Sequence, residues 1–200
     1  MGLKISAEQR VSLLKLARQS IVEFLEQKQT SRSEDQLLDS LTDQKSGVFV
    51  TLHKKGRLRG CIGTIEPRLT IPEGVRENAC HAAFRDTRFS PLAKDELDEV
   101  DIEISLLSLP QKVAYSDSAD LAARLTPFVD GVIIEKGHYR ATFLPQVWEQ
   151  LPEPESFLSQ LCTKAGLPSG EWKQGTLEVK TYQVRSFGEA DASSRLQERS

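Results

Sequence analysis

Two hundred residues with 38% apolar and 28% charged side chains suit one soluble folded domain, or one domain with a small second lobe. A net charge of −3 gives no global attraction to nucleic acid or anionic membrane, and no run of about 18 apolar residues exists to span a bilayer. Three cysteines without C-x-x-C spacing and three histidines without a recognised ligand spacing argue against a disulfide framework or a structural metal site. With no signal-peptide block in the first helical segment, a reduced, cytoplasmic setting without resident metal or cofactor is expected.

In chain order, the first element is an amphipathic helix over about residues 7–28. Ser6 with Gln9 makes a capping-box pattern, and Val11, Leu14, Ala17, Ile21 and Leu25 recur at steps of three and four. Residues 28–46 are polar and read as a long surface connection, with a helical turn near Leu37–Leu41. From Gly47 the period becomes two: Val48, Val50 and Leu52 alternate with Phe49, Thr51 and His53, as a half-buried strand requires. Lys54-Lys55-Gly56 is a hairpin turn, and Arg57–Thr64 returns as the second strand. Thr70 and Glu73 form a second capping box, opening a helix with Ile71, Val75, Ala79 and Ala82 on one face that ends near Arg85. Ser90-Pro91 starts an irregular or short helical link. Val100, Ile102, Ile104 and Leu106 then alternate as a third strand.

The same order recurs. Gly131-Val132-Ile133-Ile134 echoes Gly47-Val48-Phe49-Val50, and Gly137–Ala141 echoes Gly56–Gly60. A helix at about 154–165 and a strand from Leu177 to about Phe187 follow, and Trp148 and Trp172 are expected to cover core edges. The predicted fold is therefore α+β, with antiparallel sheets, packed helices and a larger and a smaller lobe. Residues 1–187 form one domain, with possible repeats at 47–108 and 131–187. If the repeats are real, Arg140 and Thr142 answer to Arg59 and Cys61. Residues 188–200 are small and polar and read as a disordered tail.

The candidate site is the returning hairpin strand. Counting back from Cys61 by twos puts Arg57, Arg59, Cys61 and Gly63 on one face, and Leu58, Gly60 and Ile62 on the core face. A thiol beside two guanidinium groups is biased towards thiolate, and glycines within a strand mark close approach by a ligand or another backbone. No acidic residue lies between Asp43 and Glu66, whereas Lys45, Lys54, Lys55, Arg57 and Arg59 are cationic, which suits a phosphate, a carboxylate or an acidic partner. The competing reading is also physical: the acidic run from Asp95 to Glu103 can neutralise the hairpin across the sheet, and Cys61 can be a small buried hydrophobe. His81 could pair with Cys61 if its helix packs over that face, and Asp86 with Arg88 can form an ion pair that shapes the turn after the helix.

The run Leu58-Arg59-Gly60-Cys61-Ile62-Gly63 resembles the signature of the AMMECR family. Further matches are Ala82–Leu92, close to A-A-F-x-D-x-R-F-x-P-L, then Ile102–Leu107, Thr142–Val147 and Lys164–Leu167, so the likeness covers roughly residues 10–187. Thr87 departs from the proline frequent in that pattern. The resemblance implies an α+β domain with two lobes and marks Arg59, Gly60, Cys61, Gly63, Asp86, Arg88 and Phe89. It is similar to stand-alone members grouped with a MEMO-type protein and a radical-SAM protein, which it implies as partners. It supplies no reaction, so whether the chain is an enzyme stays open.

The leading expectation is a protein that binds or modifies a small anionic substrate alongside those partners. Cys61 is the catalytic candidate, and Arg57, Arg59, Gly60, Gly63, Asp86 and Arg88 are the substrate-binding candidates. The alternatives are a non-catalytic adaptor docking an acidic protein on the basic hairpin, or an RNA-binding domain, for which an aromatic stacking pattern is lacking.

Overall fold

A computed structural model of the chain describes residues 5–27 and 36–190. These divide into two compact units, the first running to Leu107 and resuming at Arg185, the second being Ser108–Val184. The fold is α+β with antiparallel sheet throughout.

The first unit opens with α1 (Ala7–Glu26), where the capping box forms as predicted. The Ser6 hydroxyl accepts from the Gln9 N–H at 3.2 Å, and the Gln9 side chain accepts from the Ser6 N–H at 2.9 Å. Leu13, Leu14, Ala17 and Ile21 are buried, but Val11, placed on the same stripe by periodicity, is exposed at the helix start. A short turn, α2 (Gln36–Asp39), lies where one was expected and buries Leu38.

Strands β1 (Gly47–Lys54) and β2 (Arg57–Thr64) form the predicted hairpin, joined by Lys55 and Gly56 with φ of 53° and 75°. Two consecutive positive φ values mark the turn whose twist matches that of paired strands. β1 is central, pairing with β2 on one side and β3 (Val100–Leu107) on the other. Between them runs α3 (Ile71–Phe84), opened by Glu73 accepting from the Thr70 N–H at 3.0 Å. The core gathers Val48, Val50, Leu52, Ile102 and Ile104 from the sheet with Leu13, Ile21, Ile71, Val75 and Ala79 from the helices.

The long strand β7 (Glu178–Gly188) ends in this unit, where Ser186 and Ser105 share a 2.8 Å hydroxyl contact. Gly188 and Glu189, placed in the tail by the sequence, are held in the fold. Gly188 closes β7, and the Glu189 carboxylate accepts from Arg18 Nε and Nη2 at 2.7 and 2.6 Å and from the Ile102 N–H at 2.9 Å. Residues 191–200 of that tail lie outside the described residues.

The second unit holds β4 (Gln111–Lys112), α4 (Ser118–Arg124), β5 (Asp130–Lys136), β6 (Tyr139–Phe143), α5 (Pro154–Lys164) and the first part of β7. Trp148 is not at a core edge: it is fully buried, stacks on Phe157 at 3.7 Å and donates from its indole to the Asp130 carbonyl at 2.7 Å. Trp172 is likewise buried.

The strand order of the two units is the same, β2-β1-β3 and β6-β5-β7, each with a helix before its third strand. Counted from the shared Gly-Val start at Gly47 and Gly131, Thr51 and Glu135 take matching places, and they face Cys61 and Arg140. Because β6 is shorter than β2, Arg140 stands level with Cys61, and Thr142 with Gly63, two residues away from the expected matching. Among the described residues no helix is long and apolar enough to cross a membrane.

Candidate functional site

The strand phase around Cys61 is not the one that counting by twos predicts. Leu52 faces Gly60 while His53 faces Leu58, so the ladder shifts at that point and Arg59 is the extra residue of a β-bulge. One inserted residue reverses the face of everything beyond it. Leu58, predicted to be core, is 42% exposed and lies with His53 on the outer face. Arg57 faces Lys54, on the opposite side of the sheet from Cys61. Gly60 remains on the core side, as expected, and its close neighbour is Ala82 of α3: a Cβ there would meet the Ala82 carbonyl oxygen at 2.2 Å. Gly63 is crowded by the Phe49 ring and the Val48 carbonyl. The close approaches beside both glycines are therefore made by the chain itself.

Cys61 is half-buried on the outer face, level with Thr51 and, beyond it, Glu103 of β3. The Thr51 hydroxyl donates to Cys61 Sγ at 3.2 Å. The peptide of Cys61 is gripped from the outer edge of β2. Asp86 Oδ2 accepts from the Cys61 N–H at 2.9 Å, and Arg88 Nη2 donates to the Cys61 carbonyl at 3.2 Å. Asp86 and Arg88 are themselves paired at 2.7 Å, and Asp86 Oδ1 accepts from the Arg88 N–H and Nε. This two-residue unit does for the edge what a neighbouring strand would do. Asp86 is 6% exposed, and the Arg88 guanidinium, followed by the N–H groups of Cys61 and Arg88, holds its carboxyl far below the usual range.

Arg88 is therefore the guanidinium that reaches Cys61, although the strand count favoured Arg57 and Arg59. Its own pKa is raised, chiefly by its hydrogen bonds to Asp86. Its side chain stays 55% exposed, and among the described residues nothing accepts from its Nη1.

The basic hairpin is largely neutralised from within, as the competing reading required, through Glu96 and Glu99 of the acidic run before β3. Arg59 makes a two-pronged pair with Glu96, at 3.1 and 2.8 Å, and donates to the Ser90 carbonyl at 3.0 Å. Lys54 reaches Glu96 and Glu99 at 3.0 and 3.1 Å, and Lys55 reaches Glu99 at 3.5 Å. Both carboxylates sit on the 3-10 turn Lys94–Glu99 that leads into β3. Arg57 makes no ion pair among the described residues. Chiefly through Arg59, the Glu96 carboxyl is pulled from 4.5 down to about 2. A depressed carboxyl stabilises the fold above its unfolded value and loses that contribution as pH falls. We expect Glu96→Gln to cost about 2 kcal/mol at pH 7, with the wild-type and variant stabilities converging as pH drops from 4.5 towards 2. Denaturant titrations at pH 7, 4 and 2.5 check this, and a pH-independent difference contradicts it.

The other candidates resolve differently. His81 lies against its own helix neighbours, 3.3 Å from Arg85 and 4.0 Å from Glu77, on the helix that packs over the core face. It does not pair with Cys61. Burial pushes the thiols of Cys80 and Cys162 up. Among the described residues no group of three or more His, Cys, Asp or Glu side chains converges as a metal site.

Fold and site together define a class: an α+β chain of two like-ordered antiparallel units, with a half-exposed cysteine on the first unit's edge strand and an Asp-x-Arg turn locked onto its peptide. The AMMECR1 family profile matches residues 14–187, and the chain belongs to that family. A protein of Methanothermobacter thermautotrophicus is 39% identical over 186 residues, covering 92% of this chain and 96% of the relative. A protein of Thermofilum pendens is 37% identical, covering 98% and 97%. The crystal structure of an uncharacterized protein from Pyrococcus horikoshii matches with a TM-score of 0.78 at 32% identity, over 94% of each chain.

Proposed function

We propose that the outer face around Cys61 binds a small substrate carrying an anionic group and modifies it through the Cys61 sulfur. The observation that carries this reading is the double grip on the Cys61 peptide by Asp86 and Arg88, beneath a thiol that stays half-exposed. A reacting group held by backbone contacts on a sheet is preorganised, and a nearby guanidinium favours thiolate. Arg88, with Nη1 open, is the group for the anion, whereas Arg57 lies on the other side of the sheet and takes no part. Asp86 has its oxygens committed and acts by holding Arg88 and Cys61. In the second unit, the place level with Cys61 is taken by Arg140 paired with Glu135 at 2.9 Å, so no comparable group is left over there.

The setting is a reducing, cytoplasmic one in which the thiol persists. The resemblance adds a MEMO-type protein and a radical-SAM protein as partners. The adaptor and RNA-binding alternatives draw less support, because Lys54, Lys55 and Arg59 already face Glu96 and Glu99.

Iodoacetamide labelling of the folded protein tests this. Cys61 is expected to react well before Cys80 and Cys162. Cys61→Ser is expected to leave the melting temperature almost unchanged. Labelling of Cys61 only on unfolding, together with a destabilised serine variant, would make it a core residue and end the proposal.

A further inference from the structure

We infer that His53 is the proton acceptor for Cys61, making the outer sheet face a thiol–imidazole site; this rests on the reading of Cys61 given above. On β1, Thr51 and His53 are alternate residues and so share that face. Cys61 is level with Thr51, which puts Cys61 and His53 on a cross-strand diagonal. In a regular ladder such neighbours are roughly 7–8 Å apart, and with no direct His53–Cys61 hydrogen bond formed here the proton crosses through one water or after a turn of the imidazole. The Thr51 hydroxyl already donates to Cys61 Sγ, so the thiol's own proton points elsewhere.

Two further observations single out His53. Its side chain is half-buried and makes no hydrogen bond or ion pair among the described residues, whereas His81 is engaged on its helix. The bulge at Arg59 also falls on β2 between the rows of His53 and Cys61, and bulges re-aim side chains beside active sites. The charged groups facing His53 are Asp101, directly across on β3, and Glu103, one row along. Lys54 and Arg57 lie on the other side of the sheet, where α1 and α3 pack.

In the step this supports, the imidazole takes the Cys61 proton, the sulfur forms a bond to an electrophilic carbon, and the leaving group departs with its electron pair. With iodoacetamide as the probe, the S–C bond forms, the C–I bond breaks and iodide leaves. The experiment is the rate of Cys61 alkylation from pH 5 to 9.5, read by peptide mass, for the wild type and His53→Gln, with His53→Asn as the second variant. The expected result is a loss of about tenfold at pH 7, recovering to the wild-type rate at pH 9.5, with unchanged melting temperature. Cys61 reactive in all three proteins with superimposable pH profiles overturns the role of His53 and leaves the reading of Cys61 standing. Cys61 inert in the folded wild type overturns both.

Discussion

Gly60→Ala is expected to lower the melting temperature by about 6–12 °C. The new methyl would sit 2.2 Å from the Ala82 carbonyl oxygen and 3.1 Å from its carbon, and both are backbone atoms of α3. A helix backbone cannot rotate aside as a side chain can, so β2 and α3 must separate. Overpacking costs about 1–3 kcal/mol, and a rigid neighbour puts this site at the upper end. About 3 kcal/mol in a chain of this length corresponds to the stated shift at about 2–4 °C per kcal/mol. Gly56→Ala is the control. Nothing lies within 4 Å of that position, so only the strain of φ +75° remains, at about 1–2 kcal/mol. The comparison decides why the strand carries glycine beside Cys61. A glycine kept for a ligand would give Gly60→Ala a normal melting temperature and altered Cys61 labelling. A glycine kept for α3 gives the large loss.

That distinction marks the boundary of what the sequence discloses. Both capping boxes, the place of the hairpin turn and the alternation of β1 and β3 are set by residues within four positions of one another, and they are legible. So is the recurrence of hairpin, helix and strand. The bulge is not. Arg57-Leu58-Arg59 alternates equally well in either phase, and only the pairing of Leu52 with Gly60 and His53 with Leu58 reveals the extra residue. The helix α4 was missed because seven residues burying one leucine carry no period. Glu189 finds Arg18 across 171 positions, a bond for which no local pattern exists. The acidic run after Ser90 did signal neutralisation of the hairpin. Which members of that run are used is not legible, because the long Arg59 and Lys54 side chains reach past the strand to the turn before it. The spacing of Asp86 and Arg88 shows a local pair, which they form, whereas their grip on Cys61 depends on where α3 delivers them.

Asp86→Asn is expected to destabilise the first unit by about 3 kcal/mol at pH 7. The carboxylate accepts from the Cys61 N–H, the Arg88 N–H, Arg88 Nε and Arg88 Nη2. An asparagine of the same shape keeps one acceptor oxygen and turns an NH2 group towards donors, so two or more of those bonds fail inside a buried site. The partial exposure of Arg88 keeps the loss from growing larger, because its guanidinium regains water. The sign of the pH dependence follows from the depressed carboxyl. Its stabilisation is fully present above the ordinary value of 3.8 and is lost as pH falls below it, so the gap between wild type and variant narrows only in strong acid. Denaturant unfolding at pH 7, 5 and 3 measures this: a nearly constant gap from 7 to 5 and a smaller one at 3 is expected. An unchanged midpoint at pH 7 would mean that the Asp86–Arg88 pair does not secure the edge of β2. With that grip loosened, Cys61 labelling in the variant should slow as Arg88 lets go of the Cys61 carbonyl. A variant that loses stability yet labels like the wild type would assign Asp86 and Arg88 to the fold alone.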